Sequence, residues 1–466
     1  MMIKQLLILL FPALLSGCVA GINSPYQRPM LSVPVHWNSP LTGPAYLKRN
    51  EHWWENFADP TLSRLITRML ASNSDLAVAG LQLQQARVVS GLTNTNLTPK
   101  VTVNGEASNT QNLNEETKPT ESYSTSLALS YELDLWGKLA YSREQAKWQV
   151  EATKQDRENI ALTLIGNTAQ YYWQIANLNQ KISNQQAGLE VARKTMRLVE
   201  ARYRSGAVGQ LDLLQAQQSL LNRKNLCQTL QQQREDQRNA LTQLFNRSPD
   251  IRQKERASLD TSQEVPIADI LPVEVIARRP DVKAAEGRLK AALAGNHVAR
   301  LNFYPTLSLS ATLGAAGNLF SQWFTNPART LGTSISLPFV EWNTVQLTIE
   351  KSSFDVQQAA MVFRNKVYRA LSDVDNAMSQ RLSYQLQRKN QLHNRQLSQQ
   401  RLRIARSQYQ AGGISFQALL DAEDALLTIE NDLSDLQYGY LNSTMKLWLA
   451  LGGGSNSTKN KEEKKL

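Results

Sequence analysis

The sequence predicts a mainly α protein of long coiled-coil helical hairpins, with two β-hairpins per chain of the kind that builds a membrane β-barrel, and with the whole plan written twice. Three observations carry that fold class. The chain matches itself at a fixed offset of 206 residues, proline is absent from two matching tracts, and the apolar period changes from 2 to about 3.5 before each long helix.

The offset pairs Asp75 with Asp281, Pro99 with Pro305, Trp136 with Trp342, Tyr203 with Tyr409 and Gly206 with Gly412, without a gap. A register held over so long a stretch marks a duplicated unit. Its period far exceeds that of a small solenoid, so each half is expected to be a complete strand-and-helix assembly.

The chain opens with Lys4, an apolar run from Leu6 to Leu15, and Leu15-Ser16-Gly17-Cys18, which make residues 1–17 a signal peptide whose apolar run is too short to span a membrane. The four residues ending in cysteine resemble the lipobox of bacterial lipoproteins. Cys18 is then the lipidation site, and acyl chains such as palmitate on it would anchor the protein stably. Val19 stands where an aspartate would hold a lipoprotein at the inner membrane, which favours the outer membrane. Residues 18–58, with Pro25, Pro29, Pro34, Pro40 and Pro44, read as the lipid anchor and an extended periplasmic strap.

The first repeat, 59–246, is expected to hold a helix, a β-hairpin over 99–134 and a long helical hairpin over 138–246. From 123 to 133 the odd positions read Tyr, Thr, Leu, Leu, Tyr, Leu and the even ones Ser, Ser, Ala, Ser, Glu. That is a strand with one apolar and one polar face. After an equatorial linker over 247–266, the second repeat, 267–452, has a helix, a β-hairpin over 305–339 and a helical hairpin over 344–452. Its strands place Leu307 and Leu309 against Ser308 and Ser310, and Leu331, Ile335, Leu337 and Phe339 against Ser334 and Ser336. The hairpin loops fall near 111–121 and 315–328. Residues 453–466 form a polar tail.

Such strands suit a barrel with a wet lumen, and equally a soluble sandwich with one solvated face. In the membrane reading four strands cannot close a barrel, because the smallest bacterial examples use about eight. An open edge is not tolerated in lipid, so identical chains must pool their strands.

No proline falls between Pro119 and Pro249 or after Pro338, as long helices require. Apolar residues at 160, 164, 171, 175, 178, 182, 189, 192, 196, 199 and 203 give a seven-residue repeat, the pattern of a left-handed supercoil. Residues 138–204 would make one helix of roughly 100 Å at about 1.5 Å per residue, matched by 344–410. Both end at glycine turns, Gly206 to Gly209 and Gly412-Gly413, after which a second helix runs back.

The formal charge of +11 comes from basic residues scattered among acidic ones along the helices, which together with export argues against a nucleic-acid partner. With Cys18 acylated, Cys227 has no disulfide partner. His36, His52, His297 and His393 lack metal-ligand spacing, the Leu451 to Gly454 glycine run is a helix terminator, and acidic pairs such as Asp373 with Asp375 suit solvated helix faces. These features predict no enzyme, no metal and no cofactor beyond the covalent lipid on Cys18.

Several stretches together resemble the outer-membrane efflux factors of the TolC superfamily, in particular its lipoprotein branch of the OprM and NodT type. They are Trp53-Trp54 with Phe57, Asp59-Pro60 and Leu62; Tyr131 to Gly137; Arg278 to Val282 with Ala285-Glu286; Phe303-Tyr304-Pro305; and the Tyr-x-x-Gly turns at 203 and 409. The resemblance implies a homotrimer whose pooled strands form one outer-membrane barrel and whose helices continue it as a periplasmic tunnel. It also implies docking to a periplasmic adaptor (membrane fusion) protein and an inner-membrane transporter, with no chemistry of its own. Carried over by residue, Tyr409 and Asp421 match positions lining a periplasmic gate, although Tyr409 also reads as a packing residue beside its glycine turn and Asp421 as part of a solvated helix face; Gln417 stands where some relatives place a constricting leucine. Asp212 and Asp424 are further gate candidates. Gly206, Gly209, Gly412 and Gly413 shape the hairpin tips that an adaptor would grip, and as glycines they permit positive φ. Phe339 to Asn343 departs from the family, so the strand-to-helix bend there is expected to be built differently.

The function implied is a passive exit duct for small molecules such as drugs or toxic compounds. The alternatives are the duct of a type I polypeptide secretion system and a non-conducting, lipid-anchored periplasmic coiled-coil scaffold.

Overall fold

A computed structural model describes residues 26–37, 52–112, 114, 118–260, 264–265, 267 and 272–454. The signal peptide, Cys18 and most of the polar tail lie outside the described residues. In chain order the elements are α1 (Pro60–Ser72), α2 (Ser74–Asn94), β1 (Lys100–Thr110), β2 (Thr120–Leu133), α3 (Lys138–Arg204), α4 (Gln210–Gln243), α5 (Pro272–Arg278), α6 (Pro280–Leu301), β3 (Thr306–Gly317), β4 (Pro327–Ser336), α7 (Trp342–Gln410) and α8 (Phe416–Ala450). The chain divides into two compact units, one formed around residues 82–155 and 284–365, the other around 32–81, 156–283 and 366–454.

The first unit contains one antiparallel sheet in the order β1-β2-β3-β4, leaving β1 and β4 as its edges. The register keeps the faces intact across all four strands. Val103 pairs with Leu127 and Leu127 with Leu313, while Thr102 pairs with Ala128, Ala128 with Thr312 and Thr312 with Thr330. Odd residues thus make an apolar face and even ones a polar face. β1 ends at Thr110 as expected, while β2 begins at Thr120, β3 runs to Gly317 and β4 begins at Pro327, slightly inside the expected loops. Backbone pairing continues there through Thr110↔Thr120 and Ala315↔Pro327, past the point where the apolar alternation that marks a strand in sequence has ended.

The two bends into long helices differ. At the first, Asp134 accepts from the backbone N–H of Leu139 at 2.9 Å and of Ala140 at 2.8 Å, satisfying donors that have no partner within the helix. Gly137 supplies the positive φ of 80° that brings them into reach. The second bend has no such glycine and turns through a short 3-10 segment, Pro338–Glu341. Both regions lean on rings: the Trp136 indole N–H donates to the Pro305 carbonyl at 2.8 Å, and Phe303 meets Trp342 edge to face at 5.6 Å. Helices α3 and α6 approach closely, since a Cβ added at Gly287 would lie 3.3 Å from that of Ala152. Tyr26 and Arg28 of the strap bind Glu286.

The second unit is organised round buried aromatics. Trp53 stacks on Trp448 at 5.5 Å, Phe57 meets Trp173 at 5.1 Å, and Leu62, Ile66, Met69, Tyr440 and Met445 close around them. Buried Asp59 caps α1 through the N–H groups of Thr61 and Leu62, and also accepts from the Tyr172 hydroxyl and Arg256. Burial and that carboxylate push the Tyr172 hydroxyl well above the usual phenol range. Arg279 grips Asp281 through two bonds of 2.9 Å and reaches Asp373 at 3.0 Å. Burial alone would raise the Asp281 carboxyl, but the guanidinium holds it below the usual range. The Asp59-Pro60 and Arg279 to Asp281 stretches therefore act as internal fastenings.

Candidate functional site at the helical tips

Within the second unit, α3 and α4 meet at one tip and α7 and α8 at the other. The sequence repeat makes the two turns the same. Gly206 and Gly412 adopt φ of 74° and 80°. Gly206 N–H donates to Tyr203 O and Ala207 N–H to Arg202 O; 206 residues on, Gly412 donates to Tyr409 O and Gly413 to Gln408 O. Each is a Schellman turn, in which two last-turn carbonyls are satisfied by the residues just past the helix. Only these two of the four tip glycines need positive φ. Gly209, at φ −81°, is the N-cap of α4, and Gly413 is absent from the left-handed region, so the conformational role expected of that pair does not apply: the turn has one left-handed position.

Side chains at the tips do not follow the repeat. Phe416 and Tyr409 are buried with ring centroids 5.7 Å apart, in a cluster with Leu402, Leu419, Leu420 and, from the first hairpin, Val199 and Ala216. The Tyr409 ring fills the space between the two hairpins, which is the packing position weighed beside the gate-lining one. Arg202 sits over that ring at 4.8 Å and donates to the carbonyls of Tyr409 and Gln410 at 3.2 and 2.9 Å. A cation there meets the negative end of α7.

The acidic candidates separate by environment. Gln417 and Asp421 lie on the exposed side of α8, and the Gln417 amide donates to Asp421 at 2.7 Å. Asp424 is engaged by Arg223 of α4 at 2.6 Å. Asp212 occupies the first turn of α4, where the helix dipole favours a carboxylate. The structure thus joins Gln417 to Asp421 and gives Asp424 and Asp212 separate surroundings.

Five residues that sequence reasoning missed complete the site: Arg202, Arg223, Glu423, Arg406 and Thr195. Glu423 is buried and within 3.4 to 3.5 Å of the Thr195 hydroxyl and Arg406. Burial raises its carboxyl above the usual range, against the opposing pull of Arg406 and Arg223. The signal lay in the differences between repeats. Asp421, Glu423 and Asp424 replace Gln215, Gln217 and Gln218, while Arg202, Arg223 and Arg406 stand against Gln408, Ile429 and Glu200. Charge added to one copy, or reversed in it as at Arg406, near a buried seam marks a contact between the copies.

Among the described residues no helix is long and apolar enough to cross a membrane, and no cluster of three or more His, Cys, Asp or Glu could hold a metal ion. The arrangement holds two helix pairs together and leaves an acidic, amide-bearing face on α8.

The family model described as outer membrane efflux protein matches residues 65–247 and again 271–453. The chain is 28% identical to the pyoverdine export outer membrane protein OpmQ of Pseudomonas putida, over 91% of this chain and 92% of that protein. It is likewise 28% identical to the cation efflux system protein CusC of Escherichia coli O6:H1, over 94% and 96%. Among solved structures, the open state of the MtrE outer membrane channel of Neisseria gonorrhoeae superposes with a TM-score of 0.82 at 27% identity, covering 92% of this chain and 98% of that one.

Proposed function

Since the chain belongs to the outer membrane efflux protein family, we propose that it works as the passive exit duct of a tripartite efflux system, conducting small molecules delivered by a periplasmic adaptor and an inner-membrane transporter. It is an outer-membrane channel protein, as its family members are, and they are channels rather than enzymes. The observation that carries the reading is the sheet: four two-faced strands with an apolar odd face, a Ser- and Thr-rich even face and two open edges. Three such sheets joined edge to edge give a barrel with lipid outside and water inside.

Relatives named for pyoverdine and for cations share this plan. A wide duct reads the size and charge of its cargo, which supports finer substrate choice residing in the pump and adaptor. The exposed Asp421 and Gln417 of each chain would face the three-fold axis, where three carboxylates exclude anions and narrow the passage. Cys18 would carry the lipid, tested by mass spectrometry of the purified protein.

The experiment is conductance in planar bilayers. Purified trimers should pass a small current that Asp421→Ala raises several-fold. An unchanged current would remove Asp421 from the gate, and no current from any form would favour the scaffold.

A further inference from the structure

The 206-residue offset of the sequence carries the middle of the sheet onto its edges. It places β1 on β3 and β2 on β4, so the β2–β3 pair, which joins the two repeats within the chain, has a β4–β1 pair as its equivalent. In a single chain those two strands are the open edges. The contact that the edges lack is therefore already made once inside the chain.

Below β2 and β3 the internal contact continues between α3 and α6. A Cβ at Gly295 would lie 3.0 Å from Gln145 Nε2, His297 stacks on Tyr141 with ring centroids 4.6 Å apart, and the Trp136 indole N–H donates to the Pro305 carbonyl at 2.8 Å. Moved by the offset, the three contacts become Val89 with Lys351, Gly91 with Leu347, and the Trp342 indole with the Pro99 carbonyl. Val89, Gly91, Leu347 and Lys351 are all exposed, and Trp342 is 54% exposed. Asn296 points the other way, donating to Ser352 of α7 at 2.8 Å, and its equivalent Ser90 is part-buried. The offset thus selects the bare faces of α2 and α7. Both are apolar, with Val88, Val89 and Leu92 on one and Leu347 and Phe354 on the other.

In the outer-membrane trimer reading, on which this inference rests, we propose that the chains join by repeating their internal seam. β4 of one copy pairs with β1 of the next, and the Trp342 indole N–H of the first donates to the Pro99 carbonyl of the second. Leu347 of the first enters the hole between Val88, Gly91 and Leu92 of the second, which is open because nothing lies within 4 Å of a Cβ built on Gly91. The contact is heterologous, the α7 side of one copy on the α2 side of another, and it generates a ring when three-fold rotation closes it. The two seams differ in one respect. The internal one carries the strap, with Tyr26 and Arg28 on Glu286 and with Lys290 over the Trp148 ring at 4.4 Å. The equivalent positions hold Gly80, Gln84 and Phe354, so the seam between copies has no such clasp and is held by apolar packing and the Trp342 bond.

The test is crosslinking of full-length Cys227→Ser trimers in outer-membrane vesicles. Leu92→Cys with Leu347→Cys should give covalent trimers on a denaturing gel after oxidation. Leu92→Cys with Phe354→Cys, about 10 Å out of register by helical rise, should run as monomers on the same gel. Trp342→Phe should let the uncrosslinked trimer dissociate at a temperature several degrees lower. No covalent product from the first pair, equal product from the second, or an unshifted Trp342→Phe trimer would overturn the seam. Conductance in planar bilayers separates the seam from the duct: wild-type current without crosslinked product sinks the seam and leaves the duct standing, whereas crosslinked trimers that pass no current do the reverse.

Discussion

The two tips share a backbone and differ in what they bury. Tyr203 and Tyr409 precede identical Schellman turns, yet Tyr203 is 40% exposed and Tyr409 is 3% exposed. Leu211 and Leu214 of the first tip are exposed, whereas Phe416, Leu419 and Leu420 of the second are buried. The first tip is a platform and the second is seated on it, held by Arg202 from one side and by the Arg223–Asp424 pair from another. Duplication supplied one turn twice; divergence made one copy the clamp and the other the clamped.

The strongest way to break the comparison is Phe416→Ala against Gln210→Ala, the same position in the two repeats. The first should cost about 3–5 kcal/mol of local stability as a buried ring is lost, the second less than about 0.5 kcal/mol. Hydrogen exchange read separately over 416–424 and 210–218 checks this, and equal loss of protection at both tips would erase the distinction. Next in size is Arg202→Gln, which removes donors from two helix-terminal carbonyls and should cost about 1–3 kcal/mol while raising bilayer conductance. Exchange at 408–413 that stays at the wild-type rate would show the arginine to be idle.

Glu423 sharpens the comparison by pH. Its raised carboxyl means that the packed tip holds the proton where the unfolded chain has released it, so this contribution to stability is present at acid pH and lost as pH rises through the raised value. Glu423→Gln should flatten that dependence and leave the second tip better protected at neutral pH; an unaltered pH profile of exchange would assign the titration elsewhere. The smallest effect concerns the caps. Ser415 accepts the Ala418 N–H at 3.2 Å, but its counterpart Gly209 has no side chain to do so. Gly209→Ser should stabilise the first tip by a few tenths of a kcal/mol, roughly the Ser–Gly difference at an N-cap, visible as slower exchange at 211–213.

Much of the fold was legible because it is periodic. The 206-residue offset, the alternation around Tyr123 to Leu133 and the proline-free tracts each report backbone geometry directly. The ends of the second hairpin were less so, since the ladder at Ala315 and Pro327 continues through residues that carry no alternation. The site was half legible. Gln417 and Asp421 stand on an exposed face, which sequence can suggest. Tyr409 left two readings open, because a tyrosine beside a glycine turn looks the same in sequence whether it faces a lumen or fills a seam. Arg202 was missed because its role depends on carbonyls 207 and 208 residues away, a contact that no local pattern encodes.

The unpaired edges of β1 and β4 bear on inheritance as well as on architecture. A chain that cannot enter lipid alone is judged by the company it is assembled with, so a lesion confined to one edge strand is not hidden by a healthy second copy of the gene. With equal synthesis of both forms and random mixing in threes, only about one assembly in eight is wholly intact under three-fold symmetry. Edge-strand alleles should therefore behave as dominant ones, and lesions of the buried aromatic core, which remove the chain before assembly, as recessive.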